Sequence, residues 1–418
     1  MEMTSLFVAH PKASDESRLS SCTDLQRNIN RMESPSKQPD HNLHLHPSSK
    51  RTLFSREGQI TYRIPALIYI NDCQTYFAFA EKRKTYDDSD ADVLVLRRGK
   101  RQDGKIEWLP AEVLTEARLE GYRTMNPCPV YKSNMLFLFF ICVLGNTPEN
   151  EQILTGENKA RLCYISSIDY GQSWSKVTDL TESVIGDEIS NWATFAVGPG
   201  HGIQMKSGRL IIPAYVYYIE KGSDTTSYAF ALYSDDDGKT WKIGSKMNAE
   251  SNECQMAEMI DQEGKSQLYC NARTRKGHRV ESWSKKHTEI AFERCEKSEK
   301  LVETGSGCQG SVLSFHAFEH AKEESSSSTP HTNTWLLHSH PSDKVSRENV
   351  AVYLNKTPWD ASGWSKPLII HKGPSGYSDL AHCEDRKTFA CLMECGEKRE
   401  FEEIAFVEFS YDATSNHD

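Results

Sequence analysis

The chain has 418 residues, 38% of them hydrophobic and 10% aromatic, enough to bury a sizeable core in one large or two ordinary domains. A formal net charge of -10 and a pI near 5.9 leave no concentrated basic face, which excludes nucleic acid as a partner. The longest apolar run, Met135–Leu144, is half of what a membrane-crossing helix requires, and the N-terminus lacks a basic start followed by an apolar core. No transmembrane segment or secretory signal is expected, and synthesis in the cytosol follows.

Residues 1–50 are polar, rich in Ser, Asn, His and Lys, and read as a disordered extension. The alternating His41, His44 and His46 within it read as a surface tract, because no cysteine or carboxylate cluster accompanies them. Next comes Thr61–Leu67, where Arg63 sits inside an apolar, strand-like run that ends beyond a proline. A cation placed there needs an anion unless its charge simply stays in water. From here on the chain is a succession of short runs rich in Val, Ile, Leu, Phe and Tyr, separated by Gly, Asp, Asn, Ser and Pro, which is an all-β pattern. Strands are expected at Gln74–Ala80, Val93–Arg97, Leu136–Val143, Leu210–Tyr217, Tyr228–Ser234, Thr334–His338 and Ile404–Phe409, and no helical periodicity stands out. The serine-rich segment 320–333 interrupts this rhythm as a solvated insert loop, inside a folded unit spanning 51–410 and followed by a tail at 411–418.

One internal repeat is specific. Ser167-Ile168-Asp169-Tyr170-Gly171-Gln172-Ser173-Trp174 and Ser234-Asp235-Asp236-Asp237-Gly238-Lys239-Thr240-Trp241 share Ser-x-Asp-x-Gly-x-Ser/Thr-Trp, with a damaged copy at Ser284-Lys285-Lys286-His287. The aspartate can bond turn amides, the glycine can take a positive φ, and the tryptophan can restart the next strand and pack beneath it. These residues are therefore assigned to structure. The spacing of the copies is consistent with a β-propeller. The 12 cysteines are scattered through apolar runs and read as small buried hydrophobes; Cys391 and Cys395 alone approach a metal spacing, without a second pair. No metal or cofactor is implied.

Two further arginines, Arg273 and Arg347, stand beside strand-like segments far from Arg63. Three converging guanidiniums would make a carboxylate trap, since each offers a rigid fork of donors that lysine cannot match. Tyr62-Arg63-Ile64-Pro65 together with two aspartate boxes resembles the sialidase family, which implies a six-bladed β-propeller of four-stranded antiparallel sheets. Phe79-Ala80-Glu81-Lys82-Arg83, Arg123-Thr124-Met125-Asn126-Pro127-Cys128-Pro129, Gly307-Cys308-Gln309-Gly310-Ser311 and Gly376-Tyr377-Ser378-Asp379-Leu380 look like the animal sialidases of the cytosolic and plasma-membrane group. The likeness is nearest to the plasma-membrane ganglioside sialidases, through Pro213-Ala214-Tyr215-Val216-Tyr217-Tyr218-Ile219 and the serine-rich insert.

The resemblance implies that Arg63, Arg273 and Arg347 hold the sialic acid carboxylate, that Glu394 steadies Arg63, and that Arg83 reaches the O4 side of the sugar. Asp88 would be the acid/base residue, protonated at acidic pH, with Asp87, Asp90 and Asp92 close enough to compete for the register. Tyr377 would be the nucleophile and Glu253 its base, while Met125, Asn126, Glu149, Tyr215, Tyr217 and Gln309 line the N-acetyl and glycerol sides. The implied partner is a sialylated glycolipid, glycoprotein or oligosaccharide, met in the cytosol or peripherally at the plasma membrane. A tyrosine suits this chemistry because sialic acid carries a carboxylate on its anomeric carbon, and a charged nucleophile would be repelled as it approached. Taken singly, Tyr377 reads rather as packing in a turn, Glu253 as a surface acid and Asp88 as part of a solvated acidic loop, and only their joint presence with three arginines reverses this. The competing function is a catalytically silent sialoglycan-binding propeller.

Overall fold

The computed structural model describes residues 43–220, 224–261, 263–284, 290–316, 334–384 and 388–413. Six antiparallel sheets of four or five strands follow one another along the chain. Their first strands are Thr61–Ile70, Tyr122–Lys132, Trp192–Val197, Cys254–Ile260, Ser311–His316 and Ser375–Cys383. Neighbouring first strands touch round the ring, the third blade reaching the fourth through Ile203–Gln204 and Leu210–Ile219, so the sheets are the blades of a six-bladed β-propeller.

Each of the seven expected strands coincides with an observed one to within a residue at its ends or falls inside it. Met135–Leu144 pairs on both edges and is buried along almost its whole length, as its unbroken apolar run requires. The ring closes because the last blade takes its outer strands from the opposite end of the chain: Leu43–Pro47 and Arg51–Ser55 both pair with Glu403–Ala413. This covers what would otherwise be the exposed edge of the last strand. A strand therefore begins at Leu43, inside the stretch read as an extension; the rest of that extension, the insert at 320–333, most of the tail and the damaged repeat copy lie outside the described residues.

The two intact repeats form the turns between the third and fourth strands of the second and third blades. Asp169 accepts from the Gln172 and Ser173 amides at 3.0 and 2.9 Å, and Asp236 accepts from the Thr240 amide at 2.8 Å. The Ser173 and Thr240 hydroxyls, which donate to the same carboxylates, and then these amides hold both carboxyls down at about 2. Gly238 has φ +81°, and a Cβ there would stand 2.4 Å from the Phe137 ring, so the position requires glycine on both counts. Cys391 and Cys395 are fully buried in an apolar cluster with Phe389, Met393 and Val407.

Among the described residues there is one α-helix, Glu149–Thr155, between the second and third strands of the second blade. Its seven residues are too few to show a hydrophobic period, which is why the sequence pattern does not reveal it. Among the described residues no helix is long and apolar enough to cross a membrane.

Candidate active site

Four of the six first strands are broken near their N-terminal ends by a register shift: one between Trp192 and Thr194, and three that shape the site, between Arg63 and Ala66, between Met125 and Cys128, and between Ser375 and Ser378. Such bulges re-aim side chains, and these three turn Arg63, Met125 with Asn126, and Tyr377 toward one cavity. Ile64 pays for its place with φ +58°, a conformation that costs a β-branched residue on the order of 1 to 3 kcal/mol. Glu394, fully buried on the neighbouring strand, offsets that strain. Its carboxylate accepts from the Ile64 amide at 2.9 Å, from Arg63 Nε at 2.6 Å and Nη2 at 3.2 Å, and from the Tyr377 amide at 3.2 Å. One carboxylate thus locks a cation and the backbone of the tyrosine together.

The cavity has a volume of about 280 Å³, at the small end for a ligand site. Six arginines line it against three carboxyl groups, Asp88, Glu149 and Glu253, which reverses locally the sign of an acidic protein. Arg63, Arg273 and Arg347, contributed by three blades, do converge, and they do so around Tyr377. The guanidinium carbons of Arg63 and Arg347 stand 5.7 and 5.3 Å from the centre of its ring, and Arg273 Nη1 donates to its hydroxyl at 3.1 Å. Arg63 pairs with Glu394 and Arg273 with Glu253 at 2.7 Å; among the described residues no carboxylate lies within ion-pair distance of Arg347. Arg347 is the member of the three whose charge is least answered within the protein.

Glu253 stands one residue before the fourth blade's first strand and faces Tyr377 across the ring. The Tyr377 hydroxyl donates to Glu253 Oε1 at 2.5 Å, while Glu253 Oε2 accepts from Arg273. Burial and the Glu253 charge push the phenol well above its usual range, against the pull of Arg273 and Arg347. Tyr377 is therefore a neutral phenol with its proton already aimed at a base.

On the opposite wall the helix presents Glu149, which accepts from the Tyr215 hydroxyl at 3.2 Å, and the Tyr217 hydroxyl accepts from Asn252 at 2.9 Å. Burial first, then the nearby Glu253 and Asp88 charges, raise the Glu149 carboxyl to about 7. Met125, Asn126, Tyr215 and Tyr217 all line the cavity, whereas Gln309 does not. Its amide nitrogen donates to the Pro199 carbonyl at 3.1 Å and its oxygen accepts from the Ser378 amide at 3.0 Å. Gln309 is a brace between blades beneath the nucleophile candidate.

Asp88 reaches the cavity from the loop after the first blade's second strand, and among its acidic neighbours it alone lines the cavity. It forms an ion pair with Arg83, whose guanidinium is fully buried and is held in turn by Glu81 at 2.6 Å. Although burial opposes its charge, Arg83 and then Arg63 outweigh that and hold Asp88 below the usual carboxylate range. The expectation of a protonated Asp88 therefore does not describe this site. Arg83, expected at the O4 side of a sugar, lines the cavity while committed to Glu81 and Asp88.

Four lining or supporting residues, Glu81, Arg123, Asn252 and Arg275, receive no role from the sequence. Glu81 lies two residues before Arg83 on one strand, so both point to the same face, and that spacing was a legible signal. Arg123 donates to the Gly145 and Thr147 carbonyls at 2.8 and 2.6 Å and braces the approach to the Glu149 helix. Asn252 and Arg275 bond the Tyr217 hydroxyl from loops, where no local pattern marks them.

A family described as BNR repeat-like domain matches residues 74–390. Sialidase-3 of Homo sapiens is 48% identical over 399 residues, covering 87% of this chain and 93% of that protein. Among solved structures, Hadza microbial sialidase Hz136 aligns with a TM-score of 0.66 at 20% identity, over 84% of this chain and 66% of that one. Trypanosoma rangeli sialidase in complex with 2,3-difluorosialic acid aligns with a TM-score of 0.62 at 16% identity, over 86% of this chain and 58% of that one. The propeller, its aspartate-box turns and the near-full-length likeness agree: this chain belongs to the sialidase family and is a glycoside hydrolase of the exo-α-sialidase class.

Proposed function

We propose that the enzyme is a retaining exo-α-sialidase that uses Tyr377 as nucleophile and Glu253 as its base. The observation that carries this reading is the 2.5 Å hydrogen bond from the Tyr377 hydroxyl to Glu253, with Arg273 donating to the same oxygen at 3.1 Å. The sugar carboxylate sits among Arg63, Arg273 and Arg347, whose combined charge also screens the approach of the phenol oxygen. Because the phenol is held well above its usual pKa, its proton must pass to Glu253 as the oxygen attacks the anomeric carbon. Arg273 then stabilises charge that develops on the phenol oxygen without having to move.

Asp88 protonates the departing oxygen and afterwards takes a proton from the attacking water. In the free site Arg83 and Arg63 keep it ionised. The substrate carboxylate cancels part of that positive field, so Asp88 gains its proton on substrate binding, from an acidic medium. Two displacements at one carbon give overall retention, and the first product is the α-anomer.

The cavity holds one sugar, so the remainder of the glycoconjugate lies outside it. We assign as substrates gangliosides together with sialylated glycoproteins and oligosaccharides, reached peripherally at a membrane or free in the cytosol. Exposed apolar side chains support the membrane: Tyr86, Leu154 and Val345, which are 59, 76 and 82% exposed, occupy the same loops or helix as Asp88, Glu149 and Arg347.

The test is labelling with a 3-fluoro sialosyl fluoride followed by peptide mass spectrometry. A sialyl adduct on Tyr377, with the α-anomer released first from a sialoside, is expected. Glu253→Gln and Tyr377→Phe should each slow turnover strongly, and the double variant should cost far less than the sum because the two act as one unit. A label on another residue, or initial release of the β-anomer, refutes the mechanism.

A further inference from the structure

Two arms of the carboxylate site lean on one short loop, residues 303–308. Arg273 Nη2 donates to the Ser306 carbonyl at 3.3 Å and Arg347 Nη2 to the Gly307 carbonyl at 3.0 Å. The loop backbone is pressed against Arg273 itself. A Cβ on Gly307, whose φ is +94°, would stand 2.7 Å from Arg273 Nε and 2.5 Å from the Thr274 carbonyl oxygen. From the other side, the Thr304 hydroxyl donates to the carbonyl of Ser346, the residue before Arg347, at 2.6 Å.

What fixes this loop is a buried ion cluster that does not line the cavity. The Glu303 carboxylate accepts from the Cys308 amide at 3.0 Å, the Thr304 amide at 3.2 Å and the Thr274 amide at 3.3 Å, the last being the residue after Arg273. It also meets Arg279 Nη1 and His340 Nε2, both at 3.1 Å, and Arg279 donates in addition to the Cys308 carbonyl at 2.9 Å. The Glu303, Arg279 and His340 side chains are all fully buried. Burial works against the Glu303 charge, but Arg279 and His340 overcome it and hold the carboxyl at about 2. A buried ion pair is a poor device for stability alone, because desolvation offsets most of its attraction; what it supplies well is location.

We infer that the Glu303–Arg279 pair is the positioning device of the carboxylate clamp: through the 303–308 loop it sets Arg273 and Arg347, and thereby how strongly the enzyme prefers a carboxylate to a neutral group. The inference rests on the reading of Arg63, Arg273 and Arg347 as the carboxylate site. Glu303 and Arg279 are positioning residues, touching no substrate. In Glu303→Gln the amide NH₂ must face donors, Arg279 or a loop amide, so the loop loses its register while its volume is kept.

The experiment compares the affinity of the full chain for 2,3-unsaturated sialic acid and for its C1 carboxamide, by calorimetry or competition. Wild type should prefer the acid strongly. Glu303→Gln and Gly307→Ala should each cut that preference at least about tenfold, by weakening the acid while the carboxamide stays within about threefold, since only the charge-assisted contacts are misaligned. Thr304→Val, which removes one hydroxyl and keeps the shape, should cut it by a smaller factor, and together with Gly307→Ala it decides the question if Glu303→Gln does not fold. A preference unchanged in the folded variants, or equal weakening of both ligands, overturns the inference. A wild-type enzyme without preference for the acid would instead refute the arginine clamp.

Discussion

Glu394 is the residue whose loss should reveal most about how this site is held. It is fully buried and serves four donors at once: Arg63 Nε and Nη2, the Ile64 amide and the Tyr377 amide. In Glu394→Gln the remaining oxygen can keep Arg63 Nε and the Ile64 amide, which share Oε1. The new NH₂ then faces Arg63 Nη2 and the Tyr377 amide, both donors, and the guanidinium, only 11% exposed, loses its counter-charge. Breaking a buried pair by neutralising one partner costs about 3 to 5 kcal/mol. The strain at Ile64 is then restrained by one neutral acceptor instead of a charged one. Stability should fall on the order of 3 kcal/mol, and kcat/KM at least about 100-fold, because the clamp and the nucleophile lose their common anchor. Thermal unfolding and turnover of a fluorogenic sialoside measure the two effects separately. A variant with kcat/KM within about threefold of wild type would refute the claim that Glu394 couples Arg63 to Tyr377, whatever its melting temperature.

Arg347→Lys should lower kcat/KM at least about 100-fold with the fold intact, since loss of a forked contact to a carboxylate in a desolvated site costs on the order of 2 to 3 kcal/mol; activity within about threefold of wild type would remove it from the clamp. Glu149, raised to about 7, binds its proton more tightly in the folded than in the unfolded chain. Its contribution is thus fully present below about pH 4.5 and is lost as pH rises through about 7, by on the order of 3 kcal/mol. Glu149→Gln should flatten the fall in melting temperature between about pH 5 and pH 8, and an unaltered slope would contradict the shift. Asp88→Asn should slow cleavage of an alkyl or oligosaccharide sialoside far more than of an aryl sialoside whose leaving group needs little protonation, and equal losses on both would remove Asp88 as the acid.

Much of this protein was legible because its information is local. Strand alternation and the buried run Met135–Leu144 show in the residue pattern itself, and the aspartate-box turns close their hydrogen bonds within a few residues, so these features travel with the sequence. The six-bladed architecture and the identity of the arginines came through resemblance, since nothing in the spacing of positions 63, 273 and 347 says that they meet. Ring closure decides that: the first strands all start at one end of the propeller, and bulges there turn the side chains inward. Gln309 is identical in sequence whether it lines a pocket or ties Pro199 to Ser378, and only the packing of blades made it a brace. The seven-residue helix that presents Glu149 was invisible for want of a period. Protonation is the most strictly tertiary property of all: Asp88 is kept ionised by Arg83 and Arg63, and Glu149 is pushed up by burial and by acids that stand far away in the chain. A residue type carries a reference pKa, but the field that moves it is assembled only when distant segments are brought within a few ångströms of one another.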